Sequence, residues 1–259
     1  MFRSLYTSVS SLIAMENKQN VITNNMANAN TNGFKSDNMI TKSFDEVLLT
    51  TREETLSGSS VRKDLGTISL GVDIDEISTK FTQGLLKETS KTTDFAIDGR
   101  GFFVVERGTA TGTENVYTRD GNFRIGMDGT LMTTTGDRVL GTNLTTGQVE
   151  PIFVGDNKFV LDTNNVIQVE GFANYEMLTA DFQDYNSLTK VGDNYYTGEN
   201  PMTNTNVWIN QGYIEGSNVD LTTEMVNMMT TMREFETNQK MVQIIDDTMS
   251  KAATEIGRI

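Results

Sequence analysis

A chain of 259 residues, 37% hydrophobic and 22% charged, is long enough for one large domain or two modest ones with real cores. Its 21 Lys and Arg face 35 Asp and Glu, a net charge of −14, which argues against nucleic acid or anionic membrane as a partner because phosphate neutralisation needs a basic face. Cys and His are both absent, which removes disulfides, thiolate nucleophiles, imidazole acid–base chemistry and nearly every zinc site.

The first thirty residues read as one amphipathic helix. Phe2, Leu5, Val9, Leu12, Met15, Ile22, Met26 and Ala29 recur at steps of three, four or seven and share a stripe. Eight Asn residues fall between Asn17 and Asn38, and Asn prefers caps and turns, so the helix is expected to fade near Asn28–Asn32 and to end at Gly33. Polar residues interrupt this N-terminus, and no small-residue cleavage site follows an apolar core, so a standard signal peptide is not expected. No apolar run approaches the ~20 residues that span a bilayer, so membrane insertion is not expected either.

Residues 36–80, rich in Ser, Thr and charge, read as a connector that packs only in context. From Leu65 to about Val207 the chain shows short alternating runs, among them Phe102-Phe103-Val104-Val105 and Val166-Ile167-Gln168-Val169. Asp98-Gly99, Asp120-Gly121, Asp128-Gly129 and Gly136-Asp137 between such runs suit tight turns, so residues 81–211 read as an antiparallel, all-β outer domain. Phe102, Val104, Phe123 and Ile125 are its expected core.

The last segment reads as a second helix. Leu221, Met225, Met228, Met232, Phe235, Gln239 and Val242 alternate steps of four and three; after one shortened step Ile245, Met249, Ala252, Ile256 and Ile259 resume the seam. Asp220 is a natural N-cap, and Glu224 suits the positive end of the helix dipole. A helix of 39 residues is about 58 Å long at 1.5 Å per residue, too long to bury its seam without another helix. The expected fold is therefore α+β, with long terminal helices paired as a coiled-coil stalk and an inserted antiparallel β domain. Residues 1–35 and 212–259 form the polymerisation domain in that reading. The expected seam comprises Leu5, Val9, Leu12, Ile22, Met26, Leu221, Met225, Met228, Met232, Phe235, Val242, Ile245, Met249 and Ile256.

Motifs for chemistry are weak. Gly99-Arg100-Gly101 opens like a phosphate loop but runs into a strand where a helix N-terminus is needed, so it reads as a strand-entry turn. Asp73, Asp75 and Glu76 split across two strand faces, and Asp181, Asp184 and Asn186 read as a solvated loop. No catalytic, cofactor-binding or metal site is expected, and none of the 35 acidic residues stands out as a paired catalyst.

Three stretches resemble the flagellar rod and hook protein family. Asn24-Asn25-Met26-Ala27-Asn28-Ala29-Asn30-Thr31-Asn32-Gly33-Phe34-Lys35 is similar to its N-terminal signature, with Met26 for the usual Leu. Gln83-Gly84, Phe95 to Val105, and Tyr117-Thr118-Arg119-Asp120-Gly121-Asn122-Phe123 resemble its central domain in order. Gly212-Tyr213-Ile214-Glu215-Gly216-Ser217-Asn218-Val219-Asp220, with Arg233-Glu234-Phe235-Glu236, is similar to its C-terminal signature; Met232 and Phe235 stand where the family usually has Gln and Tyr. Residues Asn24, Asn25, Ala27, Asn28, Gly33, Phe34, Lys35, Ser217, Asn218, Val219 and Asp220 carry the terminal signatures.

The resemblance implies a structural, non-enzymatic subunit of the flagellar basal-body rod, outside the cytoplasmic membrane. It further implies export without a cleaved signal peptide by the flagellar type III apparatus, and helical polymerisation with itself and with adjacent rod and hook proteins. The length, the segment before Gln83 and the 211–220 signature resemble the distal rod protein, while Glu215 to Val219 is also compatible with the proximal member; a hook-type axial protein of the same family is the further alternative. A secreted β-domain adhesin on a helical stalk is the alternative from another class.

Overall fold

The computed structural model describes residues 2–54, 60–109, 112–155, 157–192, 194–203 and 207–256. The chain divides into two compact units: one of residues 1–26, 37–78 and 221–259, the other of residues 27–36 and 79–220.

The first unit holds the two helices, α1 (Phe2–Ala27) and α2 (Leu221–Ile256). Thr7, Ser8 and Thr23 donate their hydroxyls back to the carbonyls of Arg3, Ser4 and Gln19, which satisfies these three polar groups within the helix. The stretch read as a connector forms two nested ladders instead. Strand β1 (Asp37–Ser43) neighbours β4 (Val72–Thr79), and β2 (Val47–Glu54) pairs antiparallel with β3 (Ser60–Ile68). Thr and the β-branched residues suit an exposed ribbon, and Lys42 lies 2.9 Å from Asp75 across it. Asp75, weighed above as a possible ligand, is thus an exposed ion-pair partner. The ribbon rests on α1, where Ser10 Oγ accepts from the Val72 N–H (3.4 Å) and Thr7 Oγ1 donates to Leu70 O (3.3 Å).

The helices touch at two polar points. Asn238 Nδ2 donates to Ser11 Oγ (2.8 Å), and Asn25 Nδ2 donates to Glu224 Oε1 (3.2 Å). The contacts lie fourteen residues apart in each helix, with the chain directions opposed, so α1 and α2 run antiparallel. The least exposed positions of α2 are Glu224, Met228, Thr231, Phe235, Asn238, Val242, Ile245, Met249 and Ala252, an unbroken alternation of four and three. This corrects two expectations about the helix register. The shortened step after Val242 does not occur, and Thr231 and Asn238, rather than Met232 and Gln239, occupy the inner row. Hydrophobicity favoured the methionines, but Asn238 is turned inward by its bond to Ser11.

Among the described residues the second unit contains seventeen short strands. β5 (Leu86–Glu88), β6 (Phe95–Asp98), β7 (Phe102–Thr109), β8 (Gly112–Thr118), β9 (Phe123–Ile125), β10 (Leu131–Thr133) and β11 (Arg138–Asn143) come first. They are followed by β12 (Val149–Pro151), β13 (Phe159–Leu161), β14 (Val166–Val169), β15 (Tyr175–Met177) and β16 (Thr179–Asp181). The last are β17 (Thr189–Gly192), β18 (Tyr195–Thr197), β19 (Met202–Thr203), β20 (Trp208–Gln211) and β21 (Tyr213–Glu215). The main sheet runs β13-β14-β15-β11-β7-β8-β18-β17, with β9, β10, β12, β16 and β19 as branches. Two small antiparallel pairs, β6 with β20 and β5 with β21, bring the late strands of the unit back to its earliest. The fold is therefore α+β, with an N-terminal helix, a β-rich body and a C-terminal helix.

Strand β7 is buried on both faces, as its continuous apolar run requires. Phe103 enters one core cluster with Phe95, Phe123 and Ile167; Phe102 and Val104 enter a second with Tyr117, Phe182 and Tyr196. The expected single core of Phe102, Val104, Phe123 and Ile125 is thus divided between two clusters. Ile125, at 36% exposed, belongs to neither, because its three-residue strand leaves the core after Phe123.

Candidate functional site

The three signature stretches meet in the second unit around a buried ion cluster. Lys35, Arg119 and Glu215 are 0%, 4% and 1% exposed. Glu215 is the last residue of β21 and is held by pairing with Leu86. Its Oε1 accepts from Lys35 Nζ and from the Gly84 N–H (2.8 Å), and its Oε2 accepts from Arg119 Nη1 (3.2 Å). Lys35 Nζ donates again to Thr82 O (2.8 Å), and Arg119 Nη2 donates to Gly99 O (2.8 Å). The Arg119 guanidinium also lies 5.3 Å from the centre of the Phe102 ring.

Two cations and one carboxylate share this dry space. Burial therefore pushes the Lys35 ammonium below its usual pKa; Glu215 opposes that shift and Arg119 adds to it. Arg119 Nε has no hydrogen-bond partner among the described residues. The arrangement suits a fixed structural lock, since each charge is oriented by backbone groups as well as by its counter-ion.

Two signature glycines are set by close approach. A Cβ on Gly33, whose φ is +66°, would stand 2.5 Å from Asp120 N, and one on Gly84 would stand 2.0 Å from Gly216 O. Around them Asn218 works as a clamp. Its Oδ1 accepts from the Ser36 N–H (2.7 Å), and its Nδ2 donates to Lys80 O (2.7 Å) and Thr82 Oγ1 (3.0 Å). Ser217 Oγ accepts from the Val219 N–H (3.2 Å), and Thr31 Oγ1 donates to Asn28 Oδ1 (3.1 Å), which tightens the turn after α1. Phe34 is buried beneath the Lys190 ammonium, 4.3 Å from its ring centre.

In the first unit Asn25 is buried; it exchanges hydrogen bonds with the Asp37 backbone, donating to its carbonyl (2.9 Å) and accepting from its N–H (3.0 Å). Asn24, Ala27 and Asp220 are exposed, and Asn28, Ser217, Asn218 and Val219 are half-buried. The seam candidates separate into two sets. Met228, Phe235, Val242, Ile245 and Met249 lie on the inner row of α2, while Leu221, Met225 and Met232 face outward. In α1, Ile22 is buried, Leu5, Leu12 and Met26 are half-buried, and Val9 is exposed. The side chains of Phe2 and Ile256, and all of Ile259, lie outside the described residues. Sequence reasoning quoted Arg119 and Glu215 within signatures without assigning them a role. The available signal was a charge placed inside an apolar run, as in Tyr213-Ile214-Glu215.

The loop carboxylates have local tasks. Asp184 Oδ1 accepts from the Asn186 N–H (2.9 Å) and caps a short 3₁₀ turn, and Asp181 Oδ1 accepts from Tyr185 Oη (2.6 Å). Gly99 and Gly101 form the turn entering β7. Asp120 is different. Burial raises its pKa to about 6; the Asn122 N–H opposes the rise and Asp94 adds to it. A folded pKa above the unfolded value of about 3.9 makes the stabilising contribution fullest below pH 4 and lost as pH rises through about 6. Asp120→Asn keeps an acceptor for Asn122 and cannot ionise. Its urea midpoint should match that of the parent near pH 4 and exceed it at pH 8, by roughly 3 kcal/mol in stability. Equal gaps at both values would remove Asp120 from the titration.

Comparison with known proteins agrees with these signatures. Three family models match: the flagella basal body rod protein over residues 5–35, the flagellar hook protein FlgE/F/G D1 domain over 96–172, and the flagellar basal body rod FlgEFG protein C-terminal over 210–255. The chain is 32% identical to the flagellar basal-body rod protein FlgG of Bacillus subtilis, covering 97% of this chain and 98% of that protein. It is 31% identical to the flagellar basal-body rod protein FlgF of Caulobacter vibrioides, and 30% identical to the flagellar hook-basal body complex protein FlhO of Bacillus subtilis; both matches cover the whole of both chains. With matches of this extent, and with the N-terminal, central and C-terminal signatures joined at one ion cluster, the chain belongs to the flagellar basal-body rod protein family.

Proposed function

We propose that this structural rod subunit polymerises helically with copies of itself, through a face of α2 that the described residues leave exposed. The observation that carries the reading is a row of Leu221, Met225, Met229 and Met232, spaced four, four and three, each between 40 and 54% exposed. The row lies beside the inner heptad row rather than on it, so α2 presents two apolar edges and α1 takes only one. Heptad spacing and the in-register antiparallel contacts support a coiled-coil pairing of α1 with α2. Methionine suits the outer row because its flexible thioether packs against neighbours in slightly unequal settings. A contact between unlike faces whose rotation does not close a ring extends into a helical filament.

In this reading the subunit is not an enzyme; its work is mechanical, within the basal body and alongside other rod and hook proteins. The flagellar type III apparatus exports it. Met225→Asp and Met229→Asp place a carboxylate where a neighbour should bury it, at a cost of several kcal/mol per site. Each should leave the β unit's melting unchanged and abolish motility in a deletion strain, while Thr237→Asp, on another face, should be mild. Full motility with Met229→Asp would sink the outer row as the assembly surface.

A further inference from the structure

We infer that residues 32–36 occupy a built peptide-binding groove of the β unit, and that this groove takes the same segment from a second copy of the chain. The segment belongs to no strand, yet its polar backbone is matched almost group by group. Asn194 Nδ2 donates to Asn32 O (3.0 Å), and the Gly33 N–H donates to Glu215 O (2.8 Å). The Asn218 N–H donates to Phe34 O (3.4 Å), while the Ser36 N–H and carbonyl engage Asn218 Oδ1 (2.7 Å) and the Lys80 N–H (2.8 Å). These partners come from residues 80 to 218 and make a binding surface for an extended peptide.

Three successive side-chain positions set what the groove accepts. The first must be glycine, because the Arg119–Asp120 backbone lies within 2.6 Å of where a Cβ would stand. The second is a large aromatic, buried under the Lys190 ammonium. The third is a lysine long enough to reach Glu215 and Thr82 O. The ligand class is thus a short extended peptide reading Gly, aromatic, Lys. The chain carries one such segment and fills the groove with it as a tethered ligand. Because the anchors sit on a five-residue stretch, an identical stretch from a second copy meets every requirement.

The test uses the full chain. Phe34→Ala/Lys35→Ala removes both anchors of the tethered segment and leaves the groove residues intact. A fluorescent peptide of residues 27–38 should bind this variant and raise its melting temperature by mass action. It should bind the parent chain at least about tenfold more weakly, because there the site is filled in cis. Peptides carrying Gly33→Ala or Lys35→Glu should also bind the variant about tenfold more weakly or worse. Equal binding to parent and variant, or indifference to the glycine, overturns the proposal. Should the double variant not fold, amide exchange on the parent decides. Excess peptide should hasten exchange at Gly33 and Ser36 while leaving β7 unchanged; rates at those two amides that do not respond to peptide refute the groove.

Discussion

Glu215→Gln is expected to destabilise the β unit by about 3–5 kcal/mol, the usual cost of leaving a buried charge without its partner. The substitution keeps the shape of the side chain and an acceptor for the Gly84 N–H. Among the described residues it removes the one carboxylate that pairs with the Lys35 ammonium and the Arg119 guanidinium, and all three side chains are almost wholly buried. Urea unfolding followed by Trp208, the chain's single tryptophan and a β20 residue, reports on this unit. Lys35→Met in the same background should recover part of the loss, since one of the two stranded cations goes with it. The two changes are therefore coupled and should add to less than their sum. A Glu215→Gln variant within 1 kcal/mol of the parent would mean that the cluster contributes orientation without net stability.

Phe102→Ala should cost about 3–5 kcal/mol, the range for emptying a phenylalanine site that cannot collapse. Phe102 is 0% exposed, and its ring packs against those of Phe81, Phe182, Tyr185 and Tyr196 at centroid distances of 5.6 to 6.0 Å. The same ring floors the Arg119 guanidinium, so the substitution also loosens the ion cluster. Phe102→Leu should cost about half as much by retaining most of the volume. Ile125→Ala, at a partly exposed position, should fall below about 1 kcal/mol. A melting temperature unchanged by Phe102→Ala would place the ring outside any load of the fold.

Much of this architecture could be read from residue order alone, for identifiable reasons. The end of α1 follows from asparagines that compete for backbone bonds and a glycine that accepts positive φ, and both act within a few residues. Strand β7 is legible because four consecutive apolar residues cannot face water. The ribbon of β1 to β4 was hidden because its burial is slight, leaving hydrophobicity no alternation to reveal. In α2 the sequence pattern favoured Met232 and Gln239 over Thr231 and Asn238 for the inner row; periodicity alone cannot show that Asn238 has a partner waiting on α1. The ion cluster was the hardest to foresee. Its members are separated by 84 and 96 residues along the chain, and nothing local at Lys35 announces a carboxylate so distant.

That separation also sets an order in time. Lys35 and Glu215 are 180 residues apart, and a chain made from its N-terminus has Lys35 and Arg119 long before it has Glu215. Until then both cations lack their counter-charge, and burying either is costly. The partly made β unit also lacks β20 and β21, the strands that close over β6 and β5. Such long-range closure is slow as well as late. An unfinished chain therefore gains little by collapsing around its first signature, and residues 208–215 act as a release for folding the rest of the β unit.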